Sequence, residues 1–182
     1  MDGLVEWAAE EFGASQLKDQ RRSVRLVQMA ASAAEHPRGL VTQVFADPAE
    51  REGAFRFLEN PSIDDAAVAA PMFAATARRC AHVSELVVAI DQSTVSIVDR
   101  SACKGLGRVG TVTQHSSRRG FAVMSALAVL PSGQSAGLLA QQWHSRGDER
   151  TKVSHYDNRP VEQRESDLWR LCMEAMVKVL GE

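Results

Sequence analysis

The segment ELVVAIDQSTVSIVD, residues 85–99, decides how the second half of the chain is interpreted. Apolar residues lead into Asp91, and a Thr/Val/Ser/Ile alternation follows it, which is typical of a β-strand. A carboxylate without a partner is costly inside a buried strand, because the charged group loses its hydration. The pattern therefore predicts that Asp91 is paired, bound to a metal ion, or placed at the edge of a site.

The length and composition are those of an ordinary globular protein. The 182 residues suffice for one domain or two small ones, and 45% of them are hydrophobic while 24% are charged. No apolar run approaches the ~20 residues that span a bilayer, and the acidic N-terminus does not resemble a signal peptide. Three widely spaced cysteines favour reduced thiols. We therefore expect a cytoplasmic protein that does not act at a membrane.

The positive charges are unevenly distributed, although the formal net charge is only −2. Residues 16–38 contain five basic residues and two acidic ones, and residues 100–119 contain five basic residues and no acidic one. Such clusters suit contacts with phosphate groups. Solvated surface arginines without a ligand are the alternative that charge alone leaves open.

The first 80 residues carry helix signals. One helix is predicted before the segment HPRG, residues 36–39, and its apolar stripe is formed by Val24, Val27, Ala31 and Ala34. Asp47 and Pro48 predict the start of a further helix, because an Asp can cap a helix and a Pro suits its first position. A third start is predicted at Ser62, and a break or kink at Pro71.

From residue 85 onward the helical period gives way to strands. Residues 85–99, 120–131 and 135–143 are predicted strands, and the last two are expected to be antiparallel across a Pro-Ser-Gly turn. Residues 161–180 predict an amphipathic helix, whose apolar face is formed by Leu168, Leu171, Cys172, Ala175, Met176 and Val179. The order predicts an α+β fold, with a helical domain at residues 1–80 and a mixed domain at residues 81–182.

Five short motifs occur in order along the chain: WAAEEFGASQLKDQRRSVRLVQMA (7–30), EGAFRFLENP (52–61), VVAIDQSTVS (87–96), the segment from GLGRV to QQW (105–143), and ESDLW (165–169). Taken together, they resemble the insertion-sequence-four family of DDE-type bacterial transposases. The resemblance covers nearly the whole chain. It implies a helical unit that binds DNA, followed by the beginning of a ribonuclease-H-like α/β domain that is truncated before its fourth strand.

The resemblance implies a catalytic role for Asp91. This residue occupies the place of the first acid of the DDE triad, which holds Mg²⁺ or Mn²⁺ in a two-metal site for phosphoryl transfer. The second Asp and the Glu of that triad have no counterpart here, so we expect weak or absent metal binding and no activity from this chain alone. A structural Asp bonded to nearby backbone or to an arginine is the alternative.

The resemblance also implies contacts with double-stranded DNA at the inverted-repeat ends of a transposon. The candidate contacts are Arg21, Arg22 and Arg25 in the basic helix, with Arg56, Arg118 and Arg119 elsewhere. A purely structural Arg56, paired with Glu52 one helical turn earlier, is an equally good interpretation. Arg118 and Arg119 could equally be loop surface.

Three biological roles fit this sequence. The chain could be the N-terminal part of a transposase for cut-and-paste transposition, associated with the nucleoid when bound to DNA. It could instead be a free-standing regulator that binds DNA, forms a homodimer, or pairs with a full-length transposase. A decayed reading frame without selected activity is the third possibility.

Overall fold

The computed structural model describes residues 2–98, 105–109, 119–145 and 167–181. The chain divides into two compact units, Met1–Arg79 and Cys80–Glu182, called here the helical unit and the sheet unit. The combination of helices with an antiparallel sheet confirms the predicted α+β class. The first five helices are α1 Asp2–Phe12, α2 Gln20–Glu35, α3 Val41–Val44, α4 Pro48–Leu58 and α5 Asp65–Cys80.

Local capping chemistry determines where α4 begins. The carboxylate of Asp47 accepts hydrogen bonds of 2.9 Å from the backbone N–H groups of Ala49 and Glu50. Pro48 occupies the first turn, where its missing N–H group costs nothing. The start of α4 predicted from Asp47 and Pro48 is therefore confirmed.

Two details of α5 differ from the prediction. The helix begins at Asp65 rather than at Ser62, and the carboxylate of Asp64 accepts a 3.0 Å hydrogen bond from the N–H group of Ala66. Pro71 lies inside the helix, which continues to Cys80, so Pro71 does not break the helix as one of the two predicted outcomes required, and a kink stays a prediction. Ser62 and Asp65 are two possible helix starts that lie three residues apart. The helix begins at Asp65, which is nearer to the apolar residues that follow.

The core of the helical unit is formed by Leu17, Leu26, Met29, Phe45, Ala54 and Phe57. The predicted apolar stripe of α2 is partly wrong, because Val24 is 49% exposed while Ser23, Leu26, Met29 and Ala31 are buried. The hydroxyl of Ser23 donates a 2.9 Å hydrogen bond to the carbonyl oxygen of Ser15. This bond satisfies Ser23 in the interior, and Leu26 and Met29 lie on the same buried face because they follow at helical spacing.

A buried ion pair connects α5 to α1. Arg79 in the last turn of α5 lies 2.7 Å from a carboxylate oxygen of Glu11 and 3.0 Å from one of Glu10. The side chain of Glu11 is only 5% exposed. Removing one member of a buried pair leaves the other charge without compensation, so this contact fixes the last turn of α5 against α1.

The sheet unit contains β1 Val87–Ile97, β2 Gly107–Arg108, β3 Arg119–Val129, β4 Ser135–His144 and the helix α6 Leu168–Gly181. All eleven residues of β1 pair antiparallel with β3, and β2 and β4 also pair antiparallel with β3. Gly133, with φ of +82°, allows the tight turn between β3 and β4. The predicted antiparallel arrangement of these two strands is therefore confirmed.

Helix α6 packs on β3 and β4. Leu168 and Cys172 are buried, the other four residues of the predicted apolar face are half-buried, and this prediction is confirmed. The Cys172 thiol lies 3.9 Å from the carbonyl oxygen of Met124, and burial raises the pKa of this thiol. No helix in the described ranges is both long enough and apolar enough to cross a bilayer.

Candidate nucleic-acid interface

The segment that precedes α2 holds the start of this basic helix in place. Leu17 is buried in the core, and the carbonyl oxygen of Ser15 accepts the hydroxyl proton of Ser23. Between Leu17 and the helix, Lys18 adopts the left-handed conformation with φ of +64°, which is uncommon for a residue with a Cβ atom. The chain is therefore fixed on both sides of Lys18, whose side chain is exposed.

Asp19 caps α2 and also binds the first arginine of the basic helix. Its carboxylate accepts hydrogen bonds from the backbone N–H group of Arg21 at 3.0 Å and from the Arg21 guanidinium at 3.1 Å. These bonds hold the pKa of Asp19 below its ordinary value and raise the pKa of Arg21. The Arg21 side chain is 91% exposed, so its guanidinium can exchange this partner for a phosphate.

The other two arginines of α2 are less accessible than Arg21. Arg22 is half-buried, and its Nη1 donates a 3.3 Å hydrogen bond to the carbonyl oxygen of Leu17. Arg25 is also half-buried, and its guanidinium packs on Gly53 of α4, where an added Cβ atom would lie 3.2–3.3 Å away. The three arginines thus share one helix but have different environments.

The guanidinium of Arg25 packs on Gly53, in the segment EGAFRF. A Cβ atom at position 53 would be in tight contact with this guanidinium, which would have to shift by a few tenths of an ångström. Arg25 also lines a cleft of about 260 Å³, together with Met29, Phe45 and two acids, Glu35 and Glu50. Those carboxylates disfavour a phosphate inside the cleft, so only the outward side of Arg25 is suited to DNA.

Arg56 forms the ion pair with Glu52 that its purely structural interpretation predicts. Its Nε donates a 2.8 Å hydrogen bond to Glu52, four residues earlier on α4, and both side chains are exposed. Exposed pairs of this kind contribute little stability. Breaking the ion pair between Arg56 and Glu52 therefore costs little free energy, so Arg56 can exchange Glu52 for a phosphate. Its role in DNA binding stays a prediction.

The last two predicted contacts belong to the sheet unit. Arg119 is the first residue of β3, is half-buried, and donates a 2.6 Å hydrogen bond from Nη2 to the carbonyl oxygen of Leu106. This bond connects β3 to the residue before β2. Arg118 lies outside the described residues.

Sequence reasoning did not single out two exposed cations of the helical unit. Lys18 and Arg38 make no hydrogen bond or ion pair with any described side chain or backbone group. Lys18 lies next to the cap of α2, and Arg38 follows the end of that helix. The signal that could have identified Lys18 is its position directly before Asp19, within the same basic cluster.

The helical unit carries a net negative charge, so its ability to bind DNA depends on where its positive side chains lie. Residues 1–79 contain nine basic and twelve acidic residues, so the unit as a whole carries excess negative charge. Its long-range field does not attract DNA, and binding requires cations gathered on one surface. The residues around the start of α2, namely Lys18, Arg21 and Arg22, provide such a group.

Asp91 lies in the middle of β1 and is exposed, so the expectation of a buried strand around it is wrong. Exposed and half-buried residues alternate along the first part of β1, because α6 packs on β3 and β4 instead. Asp91 is directly opposite Ser125, and Ser125 accepts a 3.2 Å hydrogen bond from the amide of Gln141 on β4. The three residues share one face of the sheet.

The described residues do not bring a second acid to this position. Within them, no three His, Cys, Asp or Glu side chains are grouped so that they could hold a metal ion. Asp148, Glu149 and Asp157, considered from the sequence as poor substitutes for the missing triad acids, lie outside the described residues. Asp91 is thus the one carboxylate on its strand.

The geometry of the first four helices is that of a small helical domain with an exposed basic surface at the start of α2. Residues 5–63 match the family model described as transposase DNA-binding. The matched range begins in α1, includes the capped starts of α2 and α4, and ends just before α5. The match supports a transposase N-terminal region and a DNA-binding role related to transposition.

Proposed function

We propose that this chain is the N-terminal part of a DDE-type transposase of the insertion-sequence-four family, and that it binds double-stranded DNA at transposon ends. The observation that carries the proposal is the family match over residues 5–63, which includes the exposed basic start of α2. The motifs from Trp7 to Trp169 extend the same interpretation beyond the matched range.

The start of α2 is the surface that contacts DNA in this proposal. Arg21 is held at the protein surface by an exposed acid, and exchanging that acid for a phosphate costs little. Lys18 and Arg22 lie within four residues of Arg21 and add positive charge at the same end of the helix. Arg25 packs on Gly53 of α4 and is less accessible than Arg21, so its contribution to DNA contact is smaller.

In the same proposal, Asp91 is the first acid of a ribonuclease-H-like catalytic site. Its position in the middle of the first strand supports this, since it projects from the same sheet face as two oxygen-bearing side chains, Ser125 and Gln141. Mg²⁺ and Mn²⁺ favour oxygen ligands. Within the described residues Asp91 is not grouped with other metal-binding side chains, and a single carboxylate does not fit a two-metal site.

DNA binding is tested by gel shift with the inverted repeats that flank the coding sequence, against a scrambled duplex at the same salt. We expect preference for the inverted repeats. Arg21→Ala should weaken binding and reduce the slope of log affinity against log salt by about 0.9, because one phosphate contact is lost. Adding Arg22→Ala should reduce the slope further.

Arg170→Ala provides the matched control for these variants. Arg170 is also an exposed arginine in an ion pair, with Glu174 on α6, but it belongs to the sheet unit. Its loss removes the same charge and should leave the salt slope unchanged. Equal slopes for Arg21→Ala and the parent protein would reject α2 as the DNA-binding surface.

The role of Asp91 is tested separately from DNA binding. Asp91→Ala removes the carboxylate that would bind metal but leaves α2 untouched, so the affinity for transposon ends should be unchanged. Broadening of nearby NMR signals by Mn²⁺ should be present in the parent protein and absent in the variant. Loss of DNA binding in this variant would show that Asp91 has a structural role instead.

A regulator derived from a transposase is the second candidate function. It is favoured by the location of the family match and of the basic surface inside one compact unit that has its own core. Adding the chain to a transposition reaction of a full-length relative distinguishes the two candidates. A regulator should lower the yield by competing for the ends, and this effect should disappear with Arg21→Ala.

A further inference from the structure

Val24 is a large apolar residue that lies exposed on the basic helix. It is 49% exposed, on the second turn of α2, between the exposed residues Arg21 and Gln28. The contribution of α2 to the core comes instead from Leu26 and Met29. A β-branched residue also forms helix less readily than the alanines later in α2. Neither core packing nor helix propensity therefore accounts for a valine at this position.

The residues around Val24 share one exposed face of α2. Gln20 and Gln28 lie four residues before and after Val24, and both are exposed. Arg21 lies three residues before Val24, and its side chain is 91% exposed. Residues three and four positions apart are neighbours on a helix surface. This face of the helix therefore presents a guanidinium and two amides around one branched alkyl group.

The charge on the first part of α2 is suited to DNA. The segment from Gln20 to Ala34 contains three arginines and no acid. Asp19, at the start of the helix, already binds Arg21. Glu35, at the other end, lies about 16 Å beyond Val24 along the helix axis. The first three turns of α2 can therefore approach phosphate groups without an unpaired acid among them.

The major groove of DNA offers a partner for each side chain on this face. An arginine pairs with the edge of guanine, an amide pairs with the edge of adenine, and an apolar side chain contacts the C5-methyl group of thymine. The major groove admits an α-helix, and a helix that reads bases in this way uses residues near its N-terminus. Val24 lies in that part of α2.

We propose that α2 enters the major groove at the transposon ends with this face toward the bases, and that Val24 contacts the methyl group of a thymine. The inference rests on the proposed DNA binding and adds to it a residue that selects a base. Lys18 and Arg22 then provide affinity for phosphates, which does not depend on sequence. Val24 provides preference for thymine over cytosine, which lacks that methyl group.

The test replaces single thymines of the inverted repeats by deoxyuridine, which lacks only the C5-methyl group, and measures binding by gel shift at fixed salt. For the parent protein, replacement at one position should weaken binding about fourfold, the factor expected for burying one methyl group. Val24→Ala should bind the unmodified and the replaced duplex equally at that position. This variant should fold, because Val24 is exposed and Ala favours a helix.

Two further variants separate base recognition from charge. Arg21→Ala should reduce the salt slope but keep the response to deoxyuridine, whereas Val24→Ala should keep the salt slope of the parent protein. Val177→Ala is the matched control, because Val177 is also an exposed helical valine, at 62%, but belongs to α6 of the sheet unit. It should respond to deoxyuridine as the parent protein does.

The outcomes distinguish this inference from the proposed function. Preference for the inverted repeats that no single deoxyuridine changes would overturn the inference and leave the proposed function intact. A response to deoxyuridine that Val24→Ala retains in full would do the same. Equal binding of the inverted repeats and a scrambled duplex would overturn both.

Discussion

The helical unit and the sheet unit differ in how completely each covers its apolar residues. Six residues, four from α2 and α4 and two from the segments that precede these helices, form a buried core in the helical unit. In the sheet unit, α6 covers β3 and β4, while β1 exposes apolar side chains and α6 itself exposes Trp169, Met173, Val177 and Leu180. Among the described residues, nine large apolar side chains of the sheet unit are exposed against six of the helical unit, although both units have buried residues of their own. The sheet unit therefore presents the larger apolar surface for further contacts.

The largest expected effect tests the buried core of the helical unit. Leu26→Ala should lower the free energy of unfolding by about 2–5 kcal/mol, because it leaves a cavity among packed side chains. Val87→Ala on β1 should change it by less than about 0.5 kcal/mol, because Val87 is largely exposed. Chemical denaturation followed by circular dichroism measures both free energies of unfolding. Similar losses for the two variants would show that burial does not distinguish Leu26 from Val87.

An intermediate effect compares one glycine from each unit. A Cβ atom on Gly120 would overlap the backbone carbonyl of Val95, so Gly120→Ala should destabilise β1–β3 pairing by about 3 kcal/mol. A Cβ atom on Gly53 meets only the flexible end of Arg25, which can move into the cleft. Gly53→Ala should therefore stabilise α4 by up to about 1 kcal/mol through helix propensity.

The order of these two glycine variants is the informative result. Thermal unfolding should show a lower midpoint for Gly120→Ala and an equal or higher midpoint for Gly53→Ala. A strong loss with Gly53→Ala would mean that Arg25 cannot move and that the contact between α2 and α4 is rigid.

The smallest expected effect concerns the acid that binds Arg21. Asp19→Asn keeps a side chain that caps α2 but removes the negative charge beside the arginines. DNA binding at low salt should become about two- to fivefold tighter, because Arg21 no longer has to leave a carboxylate. Asp47→Asn makes the same change at the cap of α4 and should affect DNA binding less.

The stability of Asp19→Asn should depend on pH differently from the stability of the parent protein. The pKa of Asp19 in the folded protein lies below the ordinary 3.8, so its contribution to stability is present above that pH and is lost as the pH falls through the folded pKa. Asn does not titrate, so Asp19→Asn should lose less stability in acid than the parent protein. An identical acid profile would show that the contact with Arg21 is not maintained in solution.

The parts of the fold that depend on local chemistry could be predicted from the sequence. Asp47 and Pro48 begin a helix because the cap bonds to groups two and three residues away. The Pro-Ser-Gly turn reverses β3 into β4 for a similarly local reason. The apolar face of α6 followed from helical spacing alone, which the burial of Leu168 and Cys172 confirms.

The remaining features depend on partners distant in sequence. Ser23 is buried because of a carbonyl group eight residues earlier, and no periodicity in α2 indicates that bond. Arg25 has its position because a glycine on α4 leaves room for it. Asp91 looked buried because β1 is apolar on both sides, but burial depends on neighbouring elements, which the strand itself does not encode.

The ion pair of Arg79 with Glu10 and Glu11 has a consequence for local opening of the helical unit. It connects residues at the two ends of that unit, about seventy positions apart in the chain. The amide protons of α1 and of the last turn of α5 should therefore exchange with solvent at a common rate, as one cooperative segment. With Arg79→Met, the end of α5 should exchange earlier than α1.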